Sequence, residues 1–412
     1  MKNQNRKVPK IRFNNSKIDW QQVKFKNLLN SEEGIRRGPF GSALKKELFV
    51  QNSEYVVYEQ QNAIYDHFNT RYRISEEKYR ELKKFMLLPG DFIMSGAGTI
   101  GKISLVPEGI EKGVFNQALI RLRVNKNTDK EFFLQWMRSP EMQNKLTKAN
   151  PASAMVNLVP MSEVKEWDII VPSLEEQSAI GSLFRTLDDL LASYKNNLAN
   201  YQSLKATMLS KMFPKGGQAV PEIRLDGFKG EWEIKKLGSL GSVAMNKRIF
   251  KDETSDYGDI PFYKIGTFGG TADSFITKEK FKEYKEKYPY PEIGDILISA
   301  SGSIGRTVVY NGEDAYYQDS NIVWLKHDQQ LDNSYLKQYY GIIKWSGIEG
   351  TTIKRLYNKN ILETKIFLPP SVAEQHAIGT YFSNLDNLIN SYQEKISQLE
   401  TLKKKLLQDM FI

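Results

Sequence analysis

Cysteine is missing from the 412-residue sequence, and histidine occurs only three times, at His67, His327 and His376, far apart along the chain. Without cysteine, the chain can have no disulfide bonds, no thiolate metal site and no cysteine nucleophile. Three scattered histidines also leave metal catalysis with few of its usual ligands. These absences exclude thiol chemistry and argue against a metalloenzyme.

Long apolar runs are missing as well. No stretch approaches the roughly 18 apolar residues that a membrane-spanning helix requires, and the basic N-terminus has no signal-type apolar segment. We therefore expect a cytoplasmic protein. Hydrophobic residues make up 40% of the chain and aromatic residues 12%, which is enough for two or three globular domains in a chain of this length.

Two long segments of the sequence repeat each other. Residues 174–213 recur 198 residues later as residues 372–411, and both carry apolar side chains at alternating spacings of four and three. This spacing predicts two helices, each about 58 Å long at 1.5 Å per residue, with Lys205 and Lys403 inside the apolar seam, where they would fix the register. Either the helices pair with each other, or each packs on its neighbouring domain. The predicted interface residues are Ile180, Phe184, Leu187, Leu191, Tyr194, Leu198 and Tyr201 in the first helix, and Ile378, Phe382, Leu385, Ile389, Tyr392, Ile396 and Leu399 in the second.

The rest of the chain repeats too. Residues 9–29 match residues 221–240, and residues 87–106 match residues 291–310. Short strand patterns alternate with short amphipathic helix patterns in both copies. We predict an α+β fold with two mixed α/β domains separated by the two long helices. The predicted boundaries are a first domain at 1–173, a first helix at 174–213, a linker at 214–222, a second domain at 223–371 and a second helix at 372–412.

Two inserts interrupt this repetition. Residues 31–86 and residues 243–289 show almost no matching identity, although the sequences on both sides agree. A scaffold duplicated for symmetry and carrying two different recognition surfaces would give this pattern. Ordinary divergence of surface loops would give it as well.

The positive charge lies outside the long helices. The chain carries a net +9, while residues 174–213 sum to zero and residues 372–412 to −1, so the remainder carries +10. This placement favours a polyanion binder with two sites. Lysine and arginine neutralise phosphates, and arginine, asparagine and glutamine pair with base edges, although each candidate taken singly is also compatible with solvated surface. The candidate DNA contacts are Arg36, Arg37, Ser42, Lys45, Lys46, Arg71, Tyr72, Arg73, Asn116 and Gln117 in the first domain, and Lys247, Arg248, Lys251, Tyr263, Lys264, Lys278, Lys280, Gln318 and Asn321 in the second.

Glycine-rich turns are further candidates. Residues 96–101 satisfy the GxGxxG pattern, but a strand pattern follows where a dinucleotide-binding fold needs a helix. Two interpretations of the turns remain. Either they contact phosphates, with Thr99 and Lys102 in the first copy and Ser303 and Arg306 in the second, or they are tight strand-to-strand turns. Asn150–Ala152 lacks the second proline and the aromatic residue of an adenine methyltransferase motif. We find no catalytic motif, and we expect a non-catalytic chain with no bound metal.

The long helices open with related motifs, VPSLEEQSAI at residues 171–180 and LPPSVAEQHAI at residues 368–378. Together with the duplication, these motifs resemble the specificity subunit of Type I restriction–modification systems. The resemblance implies two target recognition domains, each recognising half of a bipartite double-stranded DNA target. It also implies a pseudo-twofold repeat in which the helices form an antiparallel coiled coil that sets the spacing.

In that family, partner subunits perform the chemistry. The resemblance implies two modification (methyltransferase) subunits that use S-adenosylmethionine and restriction (translocase and nuclease) subunits that use ATP and Mg²⁺, with no cofactor bound by this chain. The alternatives are a coiled-coil adaptor that binds proteins only and a self-contained DNA methyltransferase. The sequence offers no cofactor loop for the latter, and the charge outside the helices does not suit the former.

Overall fold

The computed structural model describes residues 9–13, 19–96, 99–147, 160–347 and 355–411. The chain forms two compact units. The first unit comprises Met1–Lys195 and Glu394–Ile412, and the second unit comprises Asn196–Gln393. The boundaries drawn from the sequence treat each long helix as a separate segment, whereas the contacts assign part of each helix to one unit and part to the other.

Ten α-helices lie in the described residues, and the two long helices begin at the predicted residues and end two and three residues before the predicted ends. They are α1 (Gln60–Tyr65), α2 (Glu76–Glu81), α3 (Lys130–Arg138), α4 (Pro140–Thr147), α5 (Met161–Val164), α6 (Leu174–Lys211), α7 (Lys278–Lys287), α8 (Asn333–Tyr340), α9 (Asn358–Glu363) and α10 (Val372–Asp409).

The described strands are short, as the sequence predicts. In the first unit they are β1 (Gln21–Lys24), β2 (Ile35–Arg37), β3 (Phe49–Val50), β4 (Tyr55–Tyr58), β5 (Tyr72–Ile74), β6 (Phe92–Ser95), β7 (Ile103–Leu105), β8 (Gly113–Phe115), β9 (Leu119–Leu122) and β10 (Asp168–Val171). In the second unit they are β11 (Glu233–Lys236), β12 (Gly241–Ala244), β13 (Ile260–Tyr263), β14 (Phe275–Ile276), β15 (Ile296–Ser299), β16 (Thr307–Val309), β17 (Tyr316–Tyr317), β18 (Ile322–His327) and β19 (Lys365–Leu368).

Three sheets organise each unit. In the first unit, β1 pairs with β10, an antiparallel sheet has the order β2-β9-β6-β7, and a third sheet has the order β3-β5-β4-β8 with β4 and β8 parallel. In the second unit, the corresponding sheets are β11-β19, β12-β18-β15-β16 and β14-β13-β17, with β13 and β17 parallel. The two inserts therefore share one arrangement although their sequences do not match: a central strand, β4 or β13, pairs antiparallel with the next strand and parallel with a later one, β8 or β17. The first sheet has an additional strand, β3. Alternation of apolar residues preserves a sheet without preserving identities.

The motif at the start of each long helix has a structural explanation. Glu176 is buried and accepts two hydrogen bonds of 2.7 Å from the guanidinium of Arg12. Glu374 accepts the same pair, also at 2.7 Å, from Arg224. Such bidentate pairs compensate the desolvation of a buried carboxylate. Each pair attaches the segment that precedes β1 or β11 to the beginning of a long helix.

The glutamine of the motif positions a second helix. The side-chain oxygen of Gln177 accepts a hydrogen bond of 3.0 Å from the backbone N–H of Asp129, the residue that caps α3. Gln375 does the same for Asp332, which caps α8, at 2.9 Å. Close approach also requires the nearby glycines, since a Cβ at Gly181 would lie 2.8 Å from the backbone nitrogen of Phe132.

The end of each long helix enters a hydrophobic core. In the first unit, the Phe411 ring lies 5.7 Å from the rings of both Phe132 and Phe184, and Phe411 is only 4% exposed. In the second unit, Phe213 lies 6.0 Å from Phe382 and 5.6 Å from Tyr335. Each core thus joins the start of one long helix to the end of the other, and within each unit the two helix segments run antiparallel.

Charged side chains repeat along these helix pairs. In the second unit, Lys205 and Asp386 form an ion pair of 2.5 Å, and Gln338 of α8 donates to the other carboxylate oxygen at 3.4 Å. In the first unit, Lys403 pairs with Asp188, which also accepts a hydrogen bond from Gln135 of α3. The lysines that interrupt the predicted seam therefore meet a carboxylate on the other helix.

The predicted seam is too narrow a description of the interface. Ile180 and Phe184 lie in the core of the first unit with aromatic residues of α3, and Ile378 and Phe382 lie in the core of the second unit. Helix-to-helix contact is seen further along, where the rings of Tyr201 and Tyr392 approach to 5.5 Å. Both alternatives from the sequence apply, because each helix packs first on a domain core and then on the other helix.

Candidate nucleic-acid interface

One surface of the first unit is formed by residues 38–44, which we call the Phe40 loop, together with Asn116 and Gln117. Strand β2 leads into the loop, and the N–H of Gly38 donates to the carbonyl of Leu119 at 2.9 Å. Glycine is required here because a Cβ at Gly38 would lie 1.9 Å from the carbonyl oxygen of Asn116, and one at Gly41 would lie 2.5 Å from the side-chain oxygen of Gln117. The loop therefore rests directly on the turn between β8 and β9.

Two hollows flank the Phe40 side chain, which is 90% exposed. The first has a volume of about 220 Å³, and its lining residues include Phe40, Lys46, Phe49, Glu59, Arg71, Tyr72, Asn116 and Gln117. The second has a volume of about 920 Å³, and its lining residues include Arg37, Phe40, Ser42, Glu81, Lys84 and Gln117. Phe40 and Gln117 line both, so they form the ridge between the two hollows.

The wall of the smaller hollow is preorganised by stacking. The ring of Tyr72 lies 4.4 Å from that of Phe49, and the guanidinium of Arg71 lies 4.7 Å from the centre of the Tyr72 ring. Arg71 also donates to the carboxylate of Glu59 at 2.9 Å, and this hydrogen bond raises the pKa of the guanidinium. Flat rings, a fixed cation and amide groups suit contact with a nucleobase and its phosphate.

Most of the candidates predicted in the first unit meet at this surface. Seven of them line one or both hollows: Arg37, Ser42, Lys46, Arg71, Tyr72, Asn116 and Gln117. Arg36, Lys45, Arg73, Thr99 and Lys102 lie outside the two hollows; Arg73, for example, forms an ion pair of 2.7 Å with Glu111.

The glycine turns have the geometry of strand-to-strand connections. Ser95 accepts a hydrogen bond from the backbone N–H of Lys102 at 3.0 Å and donates to the carbonyl of Thr99. Ser299 makes the same contacts with Arg306 and Ser303. These backbone groups bond within their turns, which favours the turn interpretation over a phosphate cradle. Residues 97 and 98 of the first turn, and the motif at residues 150–152, lie outside the described residues.

The candidates of the second unit are more often paired with carboxylates. Arg248 donates to Asp319 at 2.9 Å, and Lys264 pairs with Asp273 at 2.8 Å, a hydrogen bond that lowers the pKa of Asp273. Two more lysines form ion pairs, Lys280 with Glu253 and Lys278 with Asp259. Two candidates contact aromatic rings, since Lys247 lies over the ring of Tyr288 and Tyr263 stacks on Tyr317, while Lys251 is exposed. The others form hydrogen bonds within the unit: Arg306 donates to the carbonyl of Phe268, Gln318 accepts from the N–H of Ile265 and Asn321 accepts from Ser301.

Exposed aromatic residues are what the sequence interpretation missed. Phe40 does not appear among the candidates, because those were chosen for charge or for hydrogen-bonding groups. Its sequence signal was present, since Gly38-Pro39-Phe40-Gly41 places an aromatic residue in a turn. The second unit has exposed aromatic residues in its own insert, Phe250 and Tyr257.

Within the described residues, no group of three or more histidine, aspartate or glutamate side chains has an arrangement that would hold a metal ion. The same residues include no helix whose length and apolar content would let it cross a membrane.

Known proteins resemble both halves of the chain. The family model described as "Type I restriction modification DNA specificity domain" matches twice, at residues 17–201 and 229–401. A putative type I restriction enzyme specificity subunit from Haemophilus influenzae is 53% identical over 163 residues, which cover 39% of this chain and 42% of that protein. A putative specificity subunit from Methanocaldococcus jannaschii is 24% identical over 81% of this chain and 80% of its own length.

A solved structure has the same fold. The crystal structure of the S subunit of a Type I restriction–modification system from M. genitalium matches with a TM-score of 0.61 and 17% identity, over 98% of this chain and 99% of that one.

Proposed function

The chain belongs to the Type I restriction–modification DNA specificity family, and from this premise we propose that each unit recognises one half of a bipartite double-stranded DNA target. The observation that carries the proposal is the Phe40 surface of the first unit, where cations, amides and aromatic rings converge on a rigid loop. The repeated sheets support it, because the second unit presents a different set of side chains on a similar arrangement of sheets.

The long helices have two roles in this proposal. They set the number of base pairs between the half-sites, since α6 and α10 each contribute residues to both units. They also dock the modification subunits. Support for docking comes from three leucines that the long helices leave exposed to solvent, Leu402 in the first unit and Leu204 and Leu388 in the second.

Catalysis belongs to partner subunits in this proposal. Two modification subunits would bind S-adenosylmethionine and methylate the DNA, and restriction subunits would use ATP and Mg²⁺ for cleavage, while this chain binds no cofactor. Because the target is genomic DNA, the complex would act in the cytoplasm. This chain would supply sequence specificity and assembly.

The first test is a methylation map. The chain is co-expressed with its modification subunit in a host without DNA methylation, and methylated adenines are mapped across the genome. We expect a split motif of two short specified halves around a fixed gap. A continuous motif would contradict recognition by both units, and an absence of methylation would favour a protein-binding adaptor.

The second test separates the two units. Residues 31–86 are exchanged for the corresponding insert of another family member, and the map is repeated. One half of the motif should change and the other half should stay, because the insert belongs to the first unit alone. A change in both halves would refute independent recognition.

The third test concerns the spacer. Deleting one heptad from both α6 and α10 preserves the face that each helix presents and shortens each by about 10 Å. The gap in the methylated motif should shorten, whereas an unchanged gap would show that the helices do not set it. Deleting two residues from each helix is the matched control, because this deletion changes the face that each helix presents and so disrupts the helix pair.

A further inference from the structure

Phe40 is the most exposed large apolar side chain in the part of the chain that the structure describes, at 90%. Isolated apolar residues are common on protein surfaces. This one differs because it stands on the ridge between two hollows whose rims carry positive charge and amide groups. Its surroundings therefore indicate a binding role for the ring.

The backbone under Phe40 is fixed. Pro39 is buried, and the carbonyl of Phe40 accepts a hydrogen bond of 2.9 Å from the N–H of Ala43 in the short 3₁₀ turn Gly41–Leu44. On the other side, Gly38 is bonded to Leu119 of β9. A ring held outward by a braced backbone loses little conformational freedom when it binds a partner.

The charge around the ring identifies the class of partner. Arg37 and Lys84 outnumber Glu81 in the larger hollow, Lys46 and Arg71 outnumber Glu59 in the smaller one, and Gln117 lines both. Lysine is depleted at the centres of protein–protein interfaces, whereas lysine and arginine beside an apolar side chain are typical of proteins that insert a wedge between base pairs. The arrangement suits duplex DNA, with phosphates on both sides of the ring.

We propose that Phe40 is a wedge that inserts at one base step of the half-site bound by the first unit, partly unstacking it. This proposal rests on the proposed function and deepens it. Gln117 then lies beside the opened step, where a glutamine amide can hydrogen-bond to base edges in the groove that the wedge enters, and the flanking cations hold the two phosphate strands. Because base steps differ in how easily they open, the wedge adds specificity without a hydrogen bond to a base.

The test uses the full chain assembled with its modification subunit, on duplexes that carry the mapped target. The fluorescent base 2-aminopurine replaces in turn each adenine of the first half-site that the map shows to be unmethylated, since its emission rises when it is unstacked and a methylated adenine is extruded by the modification subunit itself. We expect increased emission at one step with the unaltered chain and loss of that increase with Phe40→Ala. Binding should weaken roughly 5- to 150-fold, the range for one lost aromatic–base contact, while its salt dependence stays the same because no phosphate contact is removed.

Two variants serve as controls. Phe40→Trp keeps a large ring and should retain the emission signal. Tyr65→Ala removes another aromatic side chain of the first unit, 71% exposed, which lies away from both hollows, and it should leave emission and affinity unchanged. Thermal unfolding of each variant verifies that it is folded, as expected for exposed positions.

The outcomes distinguish this inference from the proposed function. If Phe40→Ala binds as tightly as the unaltered chain, the wedge is overturned and recognition of the half-site stands. If affinity falls but no step of the unaltered complex becomes fluorescent, Phe40 contacts a groove without insertion, and the wedge is again overturned. If the unaltered complex does not distinguish the mapped half-site from a scrambled one, the proposed function fails and the wedge fails with it.

Discussion

Replacing Phe411 by alanine should destabilise the first unit and leave the second intact. The substitution removes a ring at the end of α10 that lies in the core of the first unit, 5.7 Å from the rings of Phe132 and Phe184. The part of α10 that precedes Glu394 belongs to the second unit. The substitution thus tests whether the C-terminal end of this helix completes the core of the first unit.

The magnitude follows from burial. Phe411 is 4% exposed, and both of its ring partners are fully buried, so the cavity cannot be filled by solvent. Truncation of a buried phenylalanine to alanine costs about 3–5 kcal/mol. For amides that exchange through unfolding of the whole unit, this corresponds to exchange faster by roughly a hundredfold to a few thousandfold.

Hydrogen–deuterium exchange read by mass spectrometry is the suitable measurement, because its peptides report the two units separately. Peptides from β6, β9 and α3 should exchange faster in Phe411→Ala, and peptides from β15, β18 and α8 should not. The matched control is Phe213→Ala at the end of α6, which should reverse the pattern since Phe213 lies among Tyr335 and Phe382. If Phe411→Ala destabilised the second unit, or neither unit, the pairing of the helix ends with the cores would be refuted.

Three further predictions concern substitutions in the second unit. Burial raises the pKa of Asp295, so the ionised carboxylate destabilises the folded state at pH 7. Asp295→Asn should therefore raise the urea midpoint of unfolding at pH 7. This gain should vanish as the pH falls through the raised pKa toward the ordinary pKa of aspartate, because the carboxyl group of the unaltered chain is then protonated. Gly379→Ala should cost about 1–3 kcal/mol by overpacking, measured by calorimetry, because the new Cβ would lie 2.6 Å from the carbonyl carbon of Ser334. Lys205→Met and Asp386→Asn should show a coupling of about 0.5–3 kcal/mol in a double-mutant cycle.

Each of these predictions has a control in the same chain. Asp91→Asn should be destabilising, since Asp91 is bonded to Arg123 at 2.6 Å and 2.8 Å; a stabilising effect there would contradict the explanation given for Asp295. Gly216→Ala should be neutral, because a Cβ at Gly216 meets nothing within 4 Å. Lys278 and Asp259, an exposed pair 3.9 Å apart, should show little coupling; equal coupling at both pairs would refute the role of the helix interface.

The regular elements could be predicted from the sequence because their signals are local. The heptad spacing gives α6 and α10, and runs such as Ile322–His327 have the β-branched and aromatic content of strands. The duplication could be predicted because the frame of each unit retains its residues. How far the duplication extends could not be predicted. The parallel pairing of β4 with β8 in the first unit recurs as the pairing of β13 with β17 in the second, although the sequences of these strands do not match.

Interactions between distant residues were beyond prediction. The sequence shows Glu176 as part of a motif, but its partner Arg12 lies 164 residues away, and nothing local connects them. The sequence predicts that Lys205 and Lys403 fix the register of the helices. Their partners, Asp386 and Asp188, follow only from the packing of one helix on the other. Phe40 was missed for a different reason, because exposure of an apolar side chain is a property of the fold and not of composition.

The attachment of Met410 and Phe411 to the core of the first unit also constrains how the protein is made. A ribosome adds about 5–20 residues each second, so these two side chains emerge roughly 10–40 s after α6, once the whole second unit has been synthesised. During that interval, the aromatic surface around Phe132 and Phe184 is open to chaperones and to other chains. Completion of the first unit therefore waits for the second, and a nascent chain that stalls within its second half leaves both units without a finished core.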